Sequence, residues 1–170
     1  MAELINRVAN SGLITLNLEL DFPTEDPVEF DIKDYLFHGL ILKEKDFRAA
    51  LKAYDWSTLE GKNLCIICTA DAIIPQWAYM LIAAYAAPVV DSVYYGSKEE
   101  FLKSFYKKLI EEKDYSSYEG KRIVIKGCSS KPVPVAAYMY LTSALQPYAQ
   151  SIMYGEPCST VPVFKRPRKV

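Results

Sequence analysis

Three of the four cysteines and the single histidine are the residues of this chain best suited to chemistry. Cys68, Cys128 and Cys158 each stand among Ser, Thr, Asp or Pro residues, a setting unlike a dry core. Thiolates and an imidazole are ligand types that bind Zn²⁺ or iron, so these cysteines and His38 form a candidate metal site. No spacing motif joins them. The alternative interpretation is burial of the cysteines as small hydrophobic residues, with His38 in a structural role.

The remaining candidates are a polar-ligand site and the fourth cysteine. Asp71 and Lys131 follow the ends of two predicted strands and could bind a polar ligand or cofactor, or could be solvated loop charges. Cys65 forms a Cys-x-x-Cys with Cys68, but residues i and i+3 of a strand point to opposite faces. We therefore expect Cys65 in the core. The sequence has no Gly-x-Gly-x-x-Gly, phosphate-loop or Gly-x-Ser-x-Gly motif, so the catalytic residues of any enzyme remain unknown.

An internal repeat supplies the elements that position these residues. Residues 55–96 and 114–155 align at an offset of 59 without a gap, and 14 of the 42 aligned positions are identical. Each copy has a short apolar run, a loop, a proline that begins a helical segment (Pro75 or Pro134) and a second short strand. A strand–helix–strand crossover of this length joins parallel strands. The pattern predicts a duplicated β-α-β unit whose strand ends bring the candidate residues to one sheet edge.

These patterns predict an α/β fold, a mostly parallel sheet flanked by helices, built on the duplicated β-α-β unit with an added N-terminal β/α segment. We expect a single domain. It contains an N-terminal strand and helix segment, the first repeat unit, a connecting helix, the second repeat unit and a basic C-terminal tail, at residues 1–54, 55–96, 97–113, 114–155 and 156–170.

Local patterns refine the elements outside the repeat. Residues 16–22 alternate between apolar and polar types, which predicts a half-buried strand at a sheet edge. Residues 43–54 are helical in pattern, and residues 97–100 form a capping box ahead of the connecting helix. Residues 30–42 fit either a short helix before His38 or a bulged strand.

Composition argues against several classes of protein. A net charge of −1 argues against nucleic-acid binding through general electrostatics. The chain begins without a signal-peptide pattern, and its cysteines should then stay reduced, which predicts a cytoplasmic protein. The apolar stretch at residues 72–90 is bracketed by Pro75 and Pro88, which leaves a helix of about 18 Å against the roughly 30 Å of a bilayer core. It therefore predicts a buried helix and no membrane span, covered by the N-terminal segment or by a second copy in a homodimer.

Five stretches of the chain resemble a known family. They extend over nearly the whole sequence and read SGLITLNLE, FDIKDYLFHGLILKEKDFR, ADAIIPQWAYML, RIVIKGC followed by KPVP, and SIMYGEPCSTVPVFKRP. In these stretches the chain resembles the bacterial family known as domain of unknown function 2480, which carries no established activity, cofactor or catalytic residue. Genes of this family can lie near iron–sulfur assembly genes, so the resemblance implies a protein partner in iron–sulfur assembly.

Three functions follow as alternatives. The first is an accessory protein with a cysteine-lined loop site, linked to metal or iron–sulfur handling. The second is a non-enzymatic binding or scaffold protein, whose thirteen tyrosines and apolar helix serve a protein interface. The third is a small-molecule enzyme that uses the same strand-end loops.

Overall fold

The computed structural model of the protein describes residues 12–127 and 130–167. In that part of the chain the strands and α-helices occur in the order β1 Leu13–Leu16, β2 Val28–Asp31, α1 Glu44–Ala53, β3 Asn63–Ile67, α2 Gln76–Ala86, β4 Ser92–Tyr95, α3 Lys98–Glu111, β5 Arg122–Ile125, α4 Val135–Leu145, β6 Ser151–Glu156 and β7 Ser159–Lys165. The predicted α/β class is confirmed.

The strands form two sheets, where the sequence predicts one. One sheet has the order β1-β5-β6-β7 and the other the order β2-β3-β4, and every pairing is parallel except that of β6 with β7. Each sheet contains one strand from the N-terminal part of the chain, because β1 pairs with β5 and β2 pairs with β3. The chain accordingly divides into a four-stranded unit, Met1–Phe22 with Leu102–Val170, and a three-stranded unit, Pro23–Phe101.

The core of the three-stranded unit forms around its central strand. Leu64 and Ile66 of β3 are buried, as expected for a parallel strand with neighbours on both sides. Helix α1, which the sequence predicts, buries Phe47 in this core, and the Phe47 ring centroid lies 6.2 Å from that of Trp77 in α2. The N-terminal segment thus covers part of α2. The expectation that this helix is buried all round is wrong, because Met80 is 70% exposed.

In the four-stranded unit β5 is an internal strand, with Ile123 and Val124 fully buried. Tyr106 of α3 is also fully buried, and its hydroxyl donates to the carbonyl of Leu18 at 2.8 Å.

The capping box predicted for the start of α3 is confirmed. The Ser97 N–H donates to the Glu100 carboxylate at 2.9 Å, and the Glu100 N–H donates to the Ser97 hydroxyl at 3.3 Å.

Elements of the two units occur at matching sequence positions. The first residues of β3 and β5, Asn63 and Arg122, are separated by the offset of the internal repeat, and so are both ends of α2 and α4. Each of these helices follows a proline in an extended conformation, Pro75 or Pro134, because proline needs no hydrogen-bond partner for its nitrogen. No helix among the described residues is long and apolar enough to cross a membrane.

The N-terminal segment departs from the sequence prediction. Strand β1 ends at Leu16, and a 3-10 helix occupies Leu18–Asp21, so the strand expected over residues 16–22 is wrong for most of its length. The cause is local, because the Asn17 side chain accepts the Glu19 N–H at 3.1 Å and turns the chain.

The structure also gives the conformation of two segments that the sequence left open or assigned differently. Residues 30–42, for which a helix and a bulged strand were both open, contain the end of β2, a 3-10 helix at Ile32–Tyr35 and a turn in which Phe37 pairs with Ile41. At the other end of the chain, β7 lies within residues 156–170, which the sequence analysis assigns to a basic tail. The adjoining Arg166 donates to three backbone carbonyls after α4.

Candidate functional site

One candidate site is an apolar groove in the four-stranded unit. It has a volume of about 390 Å³ and forms between helix α4 and strands β5, β6 and β7. We call it the α4–β7 groove. Its lining residues carry no charge and are Ile125, Val135, Tyr138, Met139, Thr142, Tyr154 and Val163. Its volume lies within the range of roughly 300–1,000 Å³ that is usual for ligand pockets.

Three aliphatic side chains of this groove are unusually exposed for their type. Val135 is 77% exposed, Met139 65% and Val163 53%. Single exposed apolar residues are ordinary, but these three line one cavity and are therefore contiguous. Contiguous exposed apolar surface is typical of a docking surface or a ligand site.

Tyrosines form the polar part of the groove. The rings of Tyr138 and Tyr154 pack edge to face at 5.8 Å, and the Tyr154 hydroxyl donates to the carbonyl of Gly127 at 3.2 Å. Burial raises the pKa of Tyr138, and the neighbouring Tyr154 raises it further. The Thr142 hydroxyl donates to the Tyr138 carbonyl at 2.7 Å and is thus occupied by the helix backbone.

Two carboxylates, which the sequence analysis missed, accept hydrogen bonds from the loops that follow β3 and β5. In the four-stranded unit, Glu19 accepts the N–H groups of Ser130 at 3.0 Å and Lys131 at 3.2 Å, together with the Ser130 hydroxyl. The hydrogen bonds from Ser130 hold the pKa of Glu19 below its ordinary value. These loop amides are therefore engaged by the protein's own carboxylate.

The three-stranded unit has a similar anchor. Asp31 accepts the Thr69 N–H at 3.1 Å and the Thr69 hydroxyl at 2.5 Å. Burial alone would raise the pKa of Asp31, but the bonds from Thr69 and from the Lys33 N–H outweigh it and lower the pKa. The available signal in the sequence was an acidic residue at the end of an N-terminal strand or shortly after it. Its partner lies far along the chain, which no local pattern reveals.

The two residues predicted to bind a polar ligand lie in different units. Asp71 is exposed in the loop after β3, and Lys131 is exposed in the loop after β5. The Lys131 ammonium lies 5.1 Å from the ring centroid of Phe22. His38 lies in an exposed turn with a φ of 50°, its ring centroid 4.0 Å from that of Phe37. A cofactor role for Asp71 and Lys131 stays a prediction.

The cysteines occupy different environments. Cys65 is fully buried in β3, as predicted, and burial raises its pKa to about 11. The half-buried Cys68 thiol donates to the carbonyl of Ala70 at 3.6 Å. Cys158 is exposed in the turn between β6 and β7, in the other unit. Cys128 lies outside the described residues.

No group of three or more His, Cys, Asp or Glu residues placed to hold a metal ion occurs within residues 12–127 and 130–167. The zinc or iron site at Cys68, Cys128, Cys158 and His38, and with it a partner in iron–sulfur assembly, stays a prediction.

Comparison with known proteins identifies a family but transfers no activity. Searches among curated proteins and among solved structures found no match. The family model described as "Protein of unknown function (DUF2480)" matches residues 2–166, nearly the whole chain. The resemblance of the five sequence stretches is thereby confirmed, and the chain belongs to the family of proteins of unknown function DUF2480.

Proposed function

We propose that this protein is a protein-binding module and that the α4–β7 groove is its docking surface. The observation that carries the proposal is a cavity of about 390 Å³ with an uncharged lining, four of whose side chains, Val135, Met139, Tyr154 and Val163, are exposed. Removing apolar surface from water lowers the free energy, so covering this groove with an apolar partner is favourable.

The occupant that we propose is a second copy of this chain. Helix α4 contains no charged residue in its 11 positions, although the solvent face of a surface helix ordinarily carries charges. Two copies of α4 related by a two-fold axis would bring no like charges together. The net charge of −1 also leaves little general repulsion between copies.

The shape of the groove supports the same pairing. Met139 and Val135 are exposed and line the cavity, so each copy offers both apolar side chains and an apolar recess. An isologous interface requires this self-complementarity, because the same patch serves both partners. A flexible methionine adapts its shape to such a contact.

Sedimentation velocity on the full chain tests the proposal. We expect the wild type to form a dimer with a dissociation constant of about 1 μM or tighter, and Met139→Lys to sediment as a monomer because the variant would bury a charge. Met80→Lys is the matched control, since Met80 occupies the aligned position of the internal repeat on α2 and is similarly exposed. It should leave the dimer intact. A monomeric wild type, or equal behaviour of the two variants, would contradict the proposal.

We also propose that the two units arose by duplication of a β-α-β segment. The identical offsets of α2 and α4 and of β3 and β5 support this origin. So does the pair Tyr79 and Tyr95, whose rings meet edge to face at 5.3 Å, as do those of Tyr138 and Tyr154 at the aligned positions.

A further inference from the structure

The three-stranded sheet ends at β4, at an edge where the four-stranded sheet continues. Within residues 12–127 and 130–167, β4 pairs with β3 alone. The aligned strand of the internal repeat, β6, pairs with β5 on one side and with β7 on the other. On the opposite side the two sheets end alike, at β2 and at β1. Comparison of the units therefore indicates a missing neighbour at β4 and none at β1 or β2.

The sequence of β4 leaves this edge open to pairing. Edge strands commonly carry charges or a proline, which discourage the addition of another strand. Strand β7 has Pro162 and Lys165, and β2 has Glu29 and Asp31. Strand β4 reads SVYY, with neither a charge nor a proline, and its Tyr95 is 75% exposed. The edge can therefore accept a further strand.

A second difference between the units concerns the backbone carbonyls that follow the helix. In the four-stranded unit Arg166, the residue directly after β7, donates to three carbonyls beyond the end of α4. The aligned carbonyls lie beyond the end of α2 and belong to Ala87, Pro88 and Val90. No side chain in the described part of the chain donates to them. The neighbour missing from β4 thus corresponds to a strand followed by an arginine.

The charge beside β4 favours the same ligand. The residue before β4 is the exposed Asp91, and the aligned residue before β6 is Gln150. The Gln150 carbonyl accepts the Arg166 N–H at 2.8 Å, so this position lies next to the arginine in the four-stranded unit. A strand docked on β4 in the same way would bring its own arginine next to Asp91, and the carboxylate would attract the guanidinium.

Apolar side chains beside the edge complete the surface. Met80 and Tyr95 align with Met139 and Tyr154, which line the α4–β7 groove together with Val163 of β7. Met80 and Tyr95 are exposed. A strand added to β4 with an apolar residue at the place of Val163 would cover them, which is favourable.

We propose that β4 binds an extended segment of a partner protein, which pairs with it antiparallel, carries apolar β-branched residues and ends in an arginine that caps α2. Main-chain hydrogen bonds give such strand addition its affinity, and alternate side chains give it specificity. The C-terminus of a helix attracts a cation. The chain's own segment of this kind, β7 with Arg166, is already paired with β6, so another protein supplies the segment for β4. This site is independent of the α4–β7 groove, which lies in the other unit.

The experiment is a titration of the full chain with the synthetic peptide STVPVFKRP, which has the sequence of residues 159–167. Fluorescence anisotropy of the labelled peptide gives the affinity, and amide chemical shifts of the protein give the site. We expect saturable binding with shifts concentrated at Ser92–Tyr95. The same peptide with Arg166→Ala should bind about tenfold more weakly, the effect of a hydrogen bond to a charged group.

Variants of the protein test the position of the arginine. Asp91→Asn should weaken binding of the arginine peptide about threefold, the effect of an exposed ion pair, and should leave binding of the alanine peptide unchanged. Asp26→Asn is the matched control, because it changes an exposed aspartate shortly before β2, at the opposite edge of the same sheet. It should bind both peptides as the wild type does.

Absence of saturable binding, equal affinities of the two peptides, or equal effects of Asp91→Asn and Asp26→Asn would overturn the proposal. Shifts at β6 in place of β4 would also overturn it, because they would show that the peptide displaces β7. Shifts at β4 that grow with protein concentration without any peptide would identify a second copy of the chain as the occupant, against the partner protein that we propose.

Discussion

Tyr154 packs directly on the backbone of Gly127. The Tyr154 hydroxyl donates to the Gly127 carbonyl at 3.2 Å, and a Cβ atom at position 127 would lie 2.7 Å from the ring carbon Cζ of Tyr154. Any larger residue at this position would therefore have to displace the ring. The contact holds the Tyr154 ring, which lines the α4–β7 groove.

The first prediction follows from this contact. Gly127→Ala should displace the exposed Tyr154 ring and weaken its bond to the Gly127 carbonyl, which should destabilise the protein by about 1 kcal/mol, the usual contribution of one hydrogen bond. Chemical denaturation measures the change. Cys68→Ala is the matched control, because Cys68 aligns with Gly127 in the internal repeat and already has a Cβ atom. We expect it to cost less, and an equal or larger loss in the control would contradict the role of Tyr154.

The second prediction concerns acid stability. The folded state holds the pKa of Glu19 below its ordinary value of 4.5, chiefly through the Ser130 hydroxyl and N–H. The resulting stability is present above the ordinary pKa and is lost as the pH falls through the lower pKa of the folded state. Glu19→Gln should therefore be less stable than the wild type at neutral pH, and the difference should narrow in acid.

Denaturant midpoints measured from neutral pH to below 4.5 check this prediction. Glu25→Gln, at an exposed position, is the control and should follow the wild-type profile. If Glu19→Gln keeps a constant difference from the wild type at every pH, the carboxylate anchor is not the source of the pH dependence.

The third prediction concerns the reactivity of the thiols in the folded chain. The thiolate is the reactive form, and burial raises the pKa of Cys65 to about 11. The exposed Cys158 should be alkylated by iodoacetamide well before Cys65, which should react only after unfolding. Peptide mapping by mass spectrometry over a time course measures both rates, and early labelling of Cys65 would show that the core of the three-stranded unit opens readily.

The fourth prediction concerns the end of α4. The Arg166 guanidinium donates to the carbonyls of Gln146 at 2.9 Å, Pro147 at 2.6 Å and Ala149 at 3.2 Å. These carbonyls follow the helix, whose C-terminus attracts cations. Arg166→Ala should cost about 1.5–3 kcal/mol, the range for charged hydrogen bonds. The neighbouring exposed Lys165→Ala should be nearly neutral, and similar thermal shifts in the two variants would refute the capping role.

Much of the molecule could be predicted from local sequence. The helices that follow Pro75 and Pro134, the capping box at Ser97 and the burial of Cys65 all depend on residues close together in the chain. Backbone sterics, the missing N–H of proline and short side-chain hydrogen bonds act over a few residues, so their pattern in the sequence is sufficient.

Only the tertiary structure decided how the strands pair and where the cavities lie. The sequence predicted one sheet, but strands of four residues such as β1 and β2 carry too little pattern to specify a partner. Glu19 and Asp31 find their partners 111 and 38 residues away. The α4–β7 groove is lined by residues from α4, β5, β6 and β7, which lie far apart in the sequence. Contacts of this kind depend on loop closure and on the packing of whole elements, which no window of neighbouring residues contains.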